Sequence, residues 1–211
     1  AEGGLSRATK SVGGDLLATS PGTVHKEPGA GTKAHQEIEQ LGLDAILDGE
    51  LGVVVLNGGM ATRFGGVVKG TVPVLSNART FLGLAVEDVL LHRQATGGNI
   101  PLFCMNSFAT TEATKKHFAD HAQFGLSKGC IEHFTQSVAV RMTKSGEIFT
   151  GNDGEPSPYG PGHGDFVSSF RNCGALQRFL DGGGRYLLVR NVDNIGARID
   201  PMVLGHHIKS Q

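Results

Sequence analysis

No apolar run in this chain of 211 residues approaches the roughly 20 needed to cross a bilayer, and the N-terminus lacks the apolar core of a secretion signal. The expectations are therefore no membrane partner and a cytoplasmic location. Charge of one sign is missing too: 19 Lys and Arg stand against 20 Asp and Glu, a net charge of −1. Such a balance offers no basic surplus for nucleic acid or anionic lipid. Cysteine is sparse and scattered, with Cys104, Cys130 and Cys173 far apart. That spacing excludes a zinc ribbon or disulfide framework and leaves three unpaired thiols that fill space in a reducing compartment. What remains, at 39% hydrophobic residues, is enough to bury the core of one domain.

The informative segment is the apolar run Leu51 to Leu56 followed by N-G-G-M-A-T-R-F-G-G-V-V, Asn57 to Val68, and then Lys69. A buried strand opening into a glycine-rich turn that carries Arg63 and Lys69 suits phosphate, because glycine lets backbone N–H groups approach an anion and the cations offset its charge. Two familiar fingerprints fail here. Gly65 and Gly70 have P-loop spacing, but Thr71 stands where its lysine belongs. The spacing from Gly58 to Gly66 does not supply G-x-G-x-x-G.

Around this loop the pattern alternates between helices and strands. Helical spacing is predicted over Ala34–Leu47, Thr80–Gln94, Thr110 or Thr111 to about Phe124, and Asp165–Leu180. Strands are predicted at Leu51–Leu56, Ile100–Met105, Ile131–Thr135 and Arg185–Arg190. Val138–Met142 and Glu147–Thr150 read as a hairpin across Lys144-Ser145-Gly146. Such alternation implies an α/β protein with a mostly parallel sheet covered on both faces, a three-layer arrangement. In such sheets ligands bind beyond the carboxyl ends of the strands. The glycine-rich loop, Asn106, Gln136 and Asp193 each fall there, so they are expected to share one rim. Residues 1–34, rich in small and polar types, are expected to be a weakly ordered arm, and residues 35–211 the domain proper.

Gly58, Gly59, Thr62, Arg63, Gly65 and Lys69 resemble the signature loop G-G-x-G-T-R-x-G of sugar-nucleotide pyrophosphorylases, which a lysine follows. Ala61 replaces the third glycine and Val68 the proline before the lysine. Met105-Asn106-Ser107-Phe108 with Thr110 and Thr114, Phe134-Thr135-Gln136-Ser137, Pro161-Gly162-His163-Gly164-Asp165, and Asn191-Val192-Asp193-Asn194 with Asp200-Pro201 follow in order. Together they resemble the successive motifs of the UTP-glucose-1-phosphate uridylyltransferase family.

The resemblance implies a Rossmann-like nucleotide-sugar transferase fold of the GT-A-like kind, and uridylyl transfer from UTP to glucose 1-phosphate. Two polyanions must approach, so charge neutralisation and positioning would carry catalysis more than a side-chain nucleophile. Arg63 and Lys69 would act on the phosphates, and the backbone of Leu56, Asn57, Gly58 and Gly59 would meet the nucleotide. Gln136 would read the uracil edge, Gly162 would lie against base or ribose, and His163 would reach a phosphate. Asn191 and Asn194 would hold hydroxyls of the sugar phosphate. Asp193 would hold Mg2+, a hard cation that takes one or two carboxylates plus phosphate oxygens.

Three alternatives stay open: N-acetylglucosamine 1-phosphate as acceptor, a broader set of hexose 1-phosphates, and a non-catalytic nucleotide-binding module. The family extends beyond the equivalent of Gln211, so the chain is expected to hold the nucleotide half of a site. His117 and His121 lie in H-F-A-D-H, without the glutamate of H-E-x-x-H. His206 and His207 are adjacent and would diverge on a helix. No metal is expected at either pair, and the oligomeric state is not legible.

Overall fold

In the computed structural model the hexapeptide Leu51–Leu56 is strand β1, buried at every position. Residues 17–20, 22–24, 26–61 and 66–211 are described, Met60 and Ala61 by main chain only. Arg63, with Thr62 and Gly65, lies outside them, as does most of the predicted N-terminal arm. Residues up to Gln36 and residues 37–211 form two separate units; in the first, Thr23 folds back on Ser20 and His35 approaches Glu27.

The main sheet has four parallel strands. Strands β4 (Leu102–Asn106), β5 (Ile131–Thr135) and β8 (Tyr186–Asn191) join β1 in the order β5-β4-β1-β8. Each falls within two residues of its predicted place, and the unbroken apolar character of β1 and β4 follows from burial on both sides. On one face Val53, Val55, Leu102 and Cys104 pack against α1 (Lys33–Leu47), α2 (Phe81–Thr96), Phe118 of α3 (Thr111–Asp120) and Leu204 of α6 (Pro201–Lys209). On the other, Val54, Leu56, Phe103 and Met105 meet α4 (Phe166–Asn172) and α5 (Ala175–Asp181). Alternate residues of one strand therefore serve two cores, and the three-layer α/β expectation holds.

Helix ends follow local chemistry. Thr80 Oγ1 accepts from Gly83 N at 3.1 Å to cap α2, and Gly97 ends it at φ 77°. Asp200 caps α6 by accepting from Met202 N and Val203 N, with Pro201 next. Where α1 crosses α6 the two backbones touch: a Cβ on Gly42 would lie 1.8 Å from Pro201 O, and one on Gly205 1.8 Å from Ile38 O.

Three expectations are corrected. The single helix over Asp165–Leu180 is broken at Gly174, φ 79°. The break lets both halves present an aromatic ring to Phe103, with Phe170 at 4.9 Å and Phe179 at 5.7 Å, each edge-on. The helix toward Phe124 stops at Asp120, and Ala122, Gln123 and Phe124 take φ of 49°, 57° and 52°. Left-handed geometry costs roughly 1–2 kcal/mol per residue outside glycine. In return the Phe124 ring stacks on His121 at 4.8 Å and meets Phe118 edge-on at 5.3 Å.

The predicted hairpin is one side of a three-way junction. Arg141 N donates to Ser157 O, Ser157 N to Phe149 O and Phe149 N to Arg141 O, a closed ring of bonds at 2.8–3.0 Å. Met142 does bridge Ile148, but the paired strands are β6 (Ala139–Val140) and β7 (Pro158–Tyr159). Two further short strands, β2 (Met60–Ala61) and β3 (Val67–Val68), pair antiparallel. They flank the residues left undescribed in the glycine-rich loop. Among the described residues no helix is long and apolar enough to cross a membrane.

Candidate functional site

Strand register brings the motifs together. Leu56 stands opposite Met105 on one side and Asn191 on the other, and Asn106 stands opposite Thr135. Pairing runs one residue further: Asn57 N donates to Met105 O, Gln136 N to Asn106 O and Val192 N to Leu56 O. Asn57, Ser107, Gln136 and Val192 thus leave the sheet at one edge, the carboxyl rim where a parallel α/β sheet binds ligands.

Beneath the rim lies a buried polar floor. Asn57 Nδ2 donates to Asn106 Oδ1 (2.9 Å) and Thr114 Oγ1 (2.8 Å), and all three residues are fully buried. Asn106 Nδ2 in turn donates to Cys104 O at 3.3 Å and lies 3.4 Å from His133 Nδ1. Burial pushes the Cys104 thiol up to about 12, against a smaller lowering from Asn57. It therefore stays protonated and inert, a space filler as expected. Cys130 is half-buried and Cys173 exposed.

The Asn57 side chain faces inward, so only its main chain can serve a ligand. Asn57 Oδ1 is buried without a hydrogen-bond partner among the described residues. A Cβ on Gly70, one residue after Lys69, would lie 2.4 Å from it. The lysine turn Lys69–Thr71 is thereby seated directly on the floor. Position 70 must be glycine for that approach.

Gln136 is 5% exposed and wedged between two glycines. A Cβ on Gly58 would meet its Nε2 at 2.4 Å, and one on Gly160 at 2.3 Å. Its Oε1 accepts from Gly162 N at 3.1 Å, and among the described residues no hydrogen bond engages its Nε2. Gly58 and Gly162, from separate motifs, meet around one side chain, while Gly59 is exposed beside them.

Asp165 ties these loops and carried no sequence signal beyond its place in P-G-H-G-D. Its Oδ2 accepts from Ser137 N and Ser169 Oγ, both at 2.6 Å, and Oδ1 from Ser137 Oγ at 3.2 Å. The Ser169 hydroxyl first, then the Ser137 backbone N–H, hold its carboxyl below the ordinary carboxylate range. A depressed folded-state pKa stabilises the fold above the unfolded value, about 4, and the contribution fades as pH falls below it. Asp165→Asn is therefore expected to lose about 1 kcal/mol near pH 7 and to converge on the parent protein below about pH 4. Urea titrations across pH measure this, and a gap that stays constant into acid would refute it.

At the mouth, Lys69 Nζ donates to Asp193 Oδ2 at 2.8 Å. Lys69 is the chief cause of a lowered Asp193 pKa, and the charge of His163 lowers it further. The glycine-loop lysine and the P-G-H-G-D histidine therefore both act on Asp193 electrostatically. His163 is exposed on the short turn His163–Asp165. Asn191 and Asn194 are also exposed; Asn194 N donates to Asn191 O, closing the turn that carries Asp193.

Among the described residues no cluster of three or more His, Cys, Asp or Glu could hold a metal, and Asp193 is a lone carboxylate paired with an ammonium. A single carboxylate is too few for a protein-caged Mg2+ and fits only an ion carried in on phosphate oxygens, to which it would add one ligand. Away from the rim, His117 Nε2 lies 3.0 Å from Thr80 Oγ1.

Comparison with known proteins agrees with this geometry. The family described as UTP--glucose-1-phosphate uridylyltransferase matches residues 23–211. The protein of that name from Musa acuminata is 35% identical over 167 residues, 77% of this chain and 35% of its own. A solved structure from Entamoeba histolytica, described as a UDP-N-acetylglucosamine pyrophosphorylase, has a TM-score of 0.75 at 26% identity, covering 82% of this chain and 46% of that one. A variant of the Leishmania major UDP-glucose pyrophosphorylase in complex with UDP-glucose has a TM-score of 0.66 at 26% identity, covering 79% and 37%. The chain spans about a third of the length of the curated relatives it matches. With the family matched over nearly its whole described length, and the family's motifs assembled on one rim, this chain belongs to the UTP-glucose-1-phosphate uridylyltransferase family.

Proposed function

We propose that this chain carries the nucleotide half of a cytoplasmic uridylyltransferase site that makes UDP-glucose and pyrophosphate from UTP and glucose 1-phosphate. The Lys69–Asp193 pair at the carboxyl rim supports this most directly. It sets a cation for phosphate beside a carboxylate for the accompanying ion, on the same sheet rim as the glycine-lined amide of Gln136.

In the reaction a phosphate oxygen of glucose 1-phosphate attacks the α-phosphorus of UTP. The bond from that phosphorus to the bridging oxygen of the β-phosphate breaks, and pyrophosphate leaves with the electron pair. Lys69 and Arg63 neutralise the triphosphate, a compact charge and a planar fork suited to different oxygens. The backbone from Leu56 to Gly59 receives the nucleotide, since glycine at 58 and 59 leaves no side chain in the way. Gln136 Nε2 donates to the pyrimidine edge, Gly162 lets base or ribose lie flat, and His163 reaches a phosphate. Asn191 and Asn194 face the sugar phosphate. Bound at Asp193, Mg2+ would supply Lewis-acid stabilisation of phosphate charge.

A second reading, N-acetylglucosamine 1-phosphate as acceptor, is favoured by the likeness to the Entamoeba structure. Isothermal titration with UTP and magnesium tests nucleotide binding, and pyrophosphate release over a panel of hexose 1-phosphates separates the acceptors. The expected result is UTP binding with poor turnover by these residues alone and a preference for glucose 1-phosphate once the rest of a full-length relative is supplied. Absence of UTP binding would remove the proposal.

A further inference from the structure

Asp193 rides on the segment Asn191–Asp200, and a buried ionic cluster grips that segment at both ends. Asp88, on the face of α2 turned to the core, is 4% exposed. Its Oδ1 accepts from Arg198 Nε at 3.1 Å and its Oδ2 from Ile199 N at 2.9 Å. Arg190, the penultimate residue of β8, is 3% exposed and places Nη1 4.0 Å from Asp88 Oδ2. The Nη2 of Arg190 donates to Asn194 O at 2.8 Å. Both flanks of Asp193 are thus tied, through two arginines, to one carboxylate on a different element.

The arrangement is a poor way to make a core. Arg190 Nε is buried with no hydrogen-bond partner among the described residues, and a buried guanidinium facing its carboxylate at 4.0 Å gains little to offset desolvation. Apolar residues of like volume often serve stability as well or better. What they could not do is hold the Asn194 carbonyl and the Ile199 amide at fixed places.

We infer that Asp88 and Arg190 are positioning residues that hold Asp193 where an ion arriving on a nucleoside triphosphate can be met. The inference rests on the uridylyltransferase reading for the identity of the ligand; the clamp itself rests only on the contacts above. Partners that orient a metal-binding group from behind are commonly worth 10- to 100-fold in metal affinity.

Arg190→Met and Arg198→Met are each compared with the parent chain by amide hydrogen exchange without ligand, and by titration with UTP alone and with UTP plus Mn2+. Arg190→Met is expected to leave β1 and β4 as protected as in the parent. Exchange in residues 191–199 should quicken about tenfold, and Mn2+–UTP should bind about tenfold more weakly, with affinity for UTP alone unchanged. Equal weakening with and without Mn2+, or parental exchange in residues 191–199, overturns the inference. Should Arg190→Met fail to fold, Arg198→Met decides: its side chain is 58% exposed, so the fold tolerates it. A loss of about threefold confined to the Mn2+ titration supports the clamp, and no difference from the parent rejects it. A parent chain that binds no Mn2+–UTP condemns the uridylyltransferase reading instead, while hydrogen exchange still judges the clamp.

Discussion

Gly205→Ala is expected to destabilise the protein by about 3 kcal/mol or more. The added methyl would sit 1.8 Å from the carbonyl oxygen of Ile38, 2.8 Å from its carbonyl carbon and 3.1 Å from its Cγ2. No rotamer relieves a clash with main chain, so α6 must lift from α1 along its length. The helix cannot simply slide, because Asp200 and Pro201 fix its first turn and Pro201 O is itself pressed against Gly42. Lifting α6 exposes Met202 and Leu204, so loss of burial adds to the strain. Urea unfolding followed by circular dichroism measures the loss. Gly164→Ala, whose Cβ would meet nothing within 4 Å, is the control. A change below about 1 kcal/mol for Gly205→Ala would mean that the two helices do not cross as closely as described.

Lys69→Met is expected to weaken UTP binding about 100-fold, with or without divalent ion, because a cation in charge-assisted contact with phosphate is lost in both conditions. Asp193→Asn should behave differently. Binding of UTP alone should hold or improve, while the gain from adding magnesium, and any magnesium-dependent turnover, should be suppressed. The contrast identifies each role in a way that one substitution could not. Stability should hardly move in either variant, since the pair is 35% and 42% exposed and such pairs contribute at most about 1 kcal/mol. Lys116→Met, which breaks the exposed pair with Asp120, is the control for removing a lysine. Magnesium dependence unchanged in Asp193→Asn would remove that residue as the metal ligand, and parental affinity in Lys69→Met would remove the phosphate role.

The sheet and the rim were legible because their signals are local. Leu51–Leu56 and the apolar stretch around Leu102 announce buried strands by composition, and Asn57, Gln136 and Asp193 follow the ends of β1, β5 and β8 by one or two residues. The order of the motifs along the chain carries the family signature. The remainder depends on partners far away in sequence. Asp88 and Ile199 are 111 residues apart, and nothing in the spacing of α2 marks one acidic residue as buried. Gly42 and Gly205 look like ordinary helix weaknesses until the crossing is known. The left-handed turn at Ala122–Phe124 opposes residue preference, and the ring contacts of Phe124 with His117, His121 and Phe118 reward it. The three-way junction replaces a hairpin because Ser157 competes for the same Arg141 and Phe149 backbone groups that a hairpin would pair alone.

Strand β8 is the last in the sheet order, and among the described residues its outer side pairs with no strand. Beside it Tyr186, Leu188, Ile199, Val203 and Leu204 line a recess. A row of amide and carbonyl groups next to greasy side chains is an adhesive border, able to zip onto any extended segment that offers the matching rungs. At high protein concentration an uncovered border of that kind favours filamentous self-association.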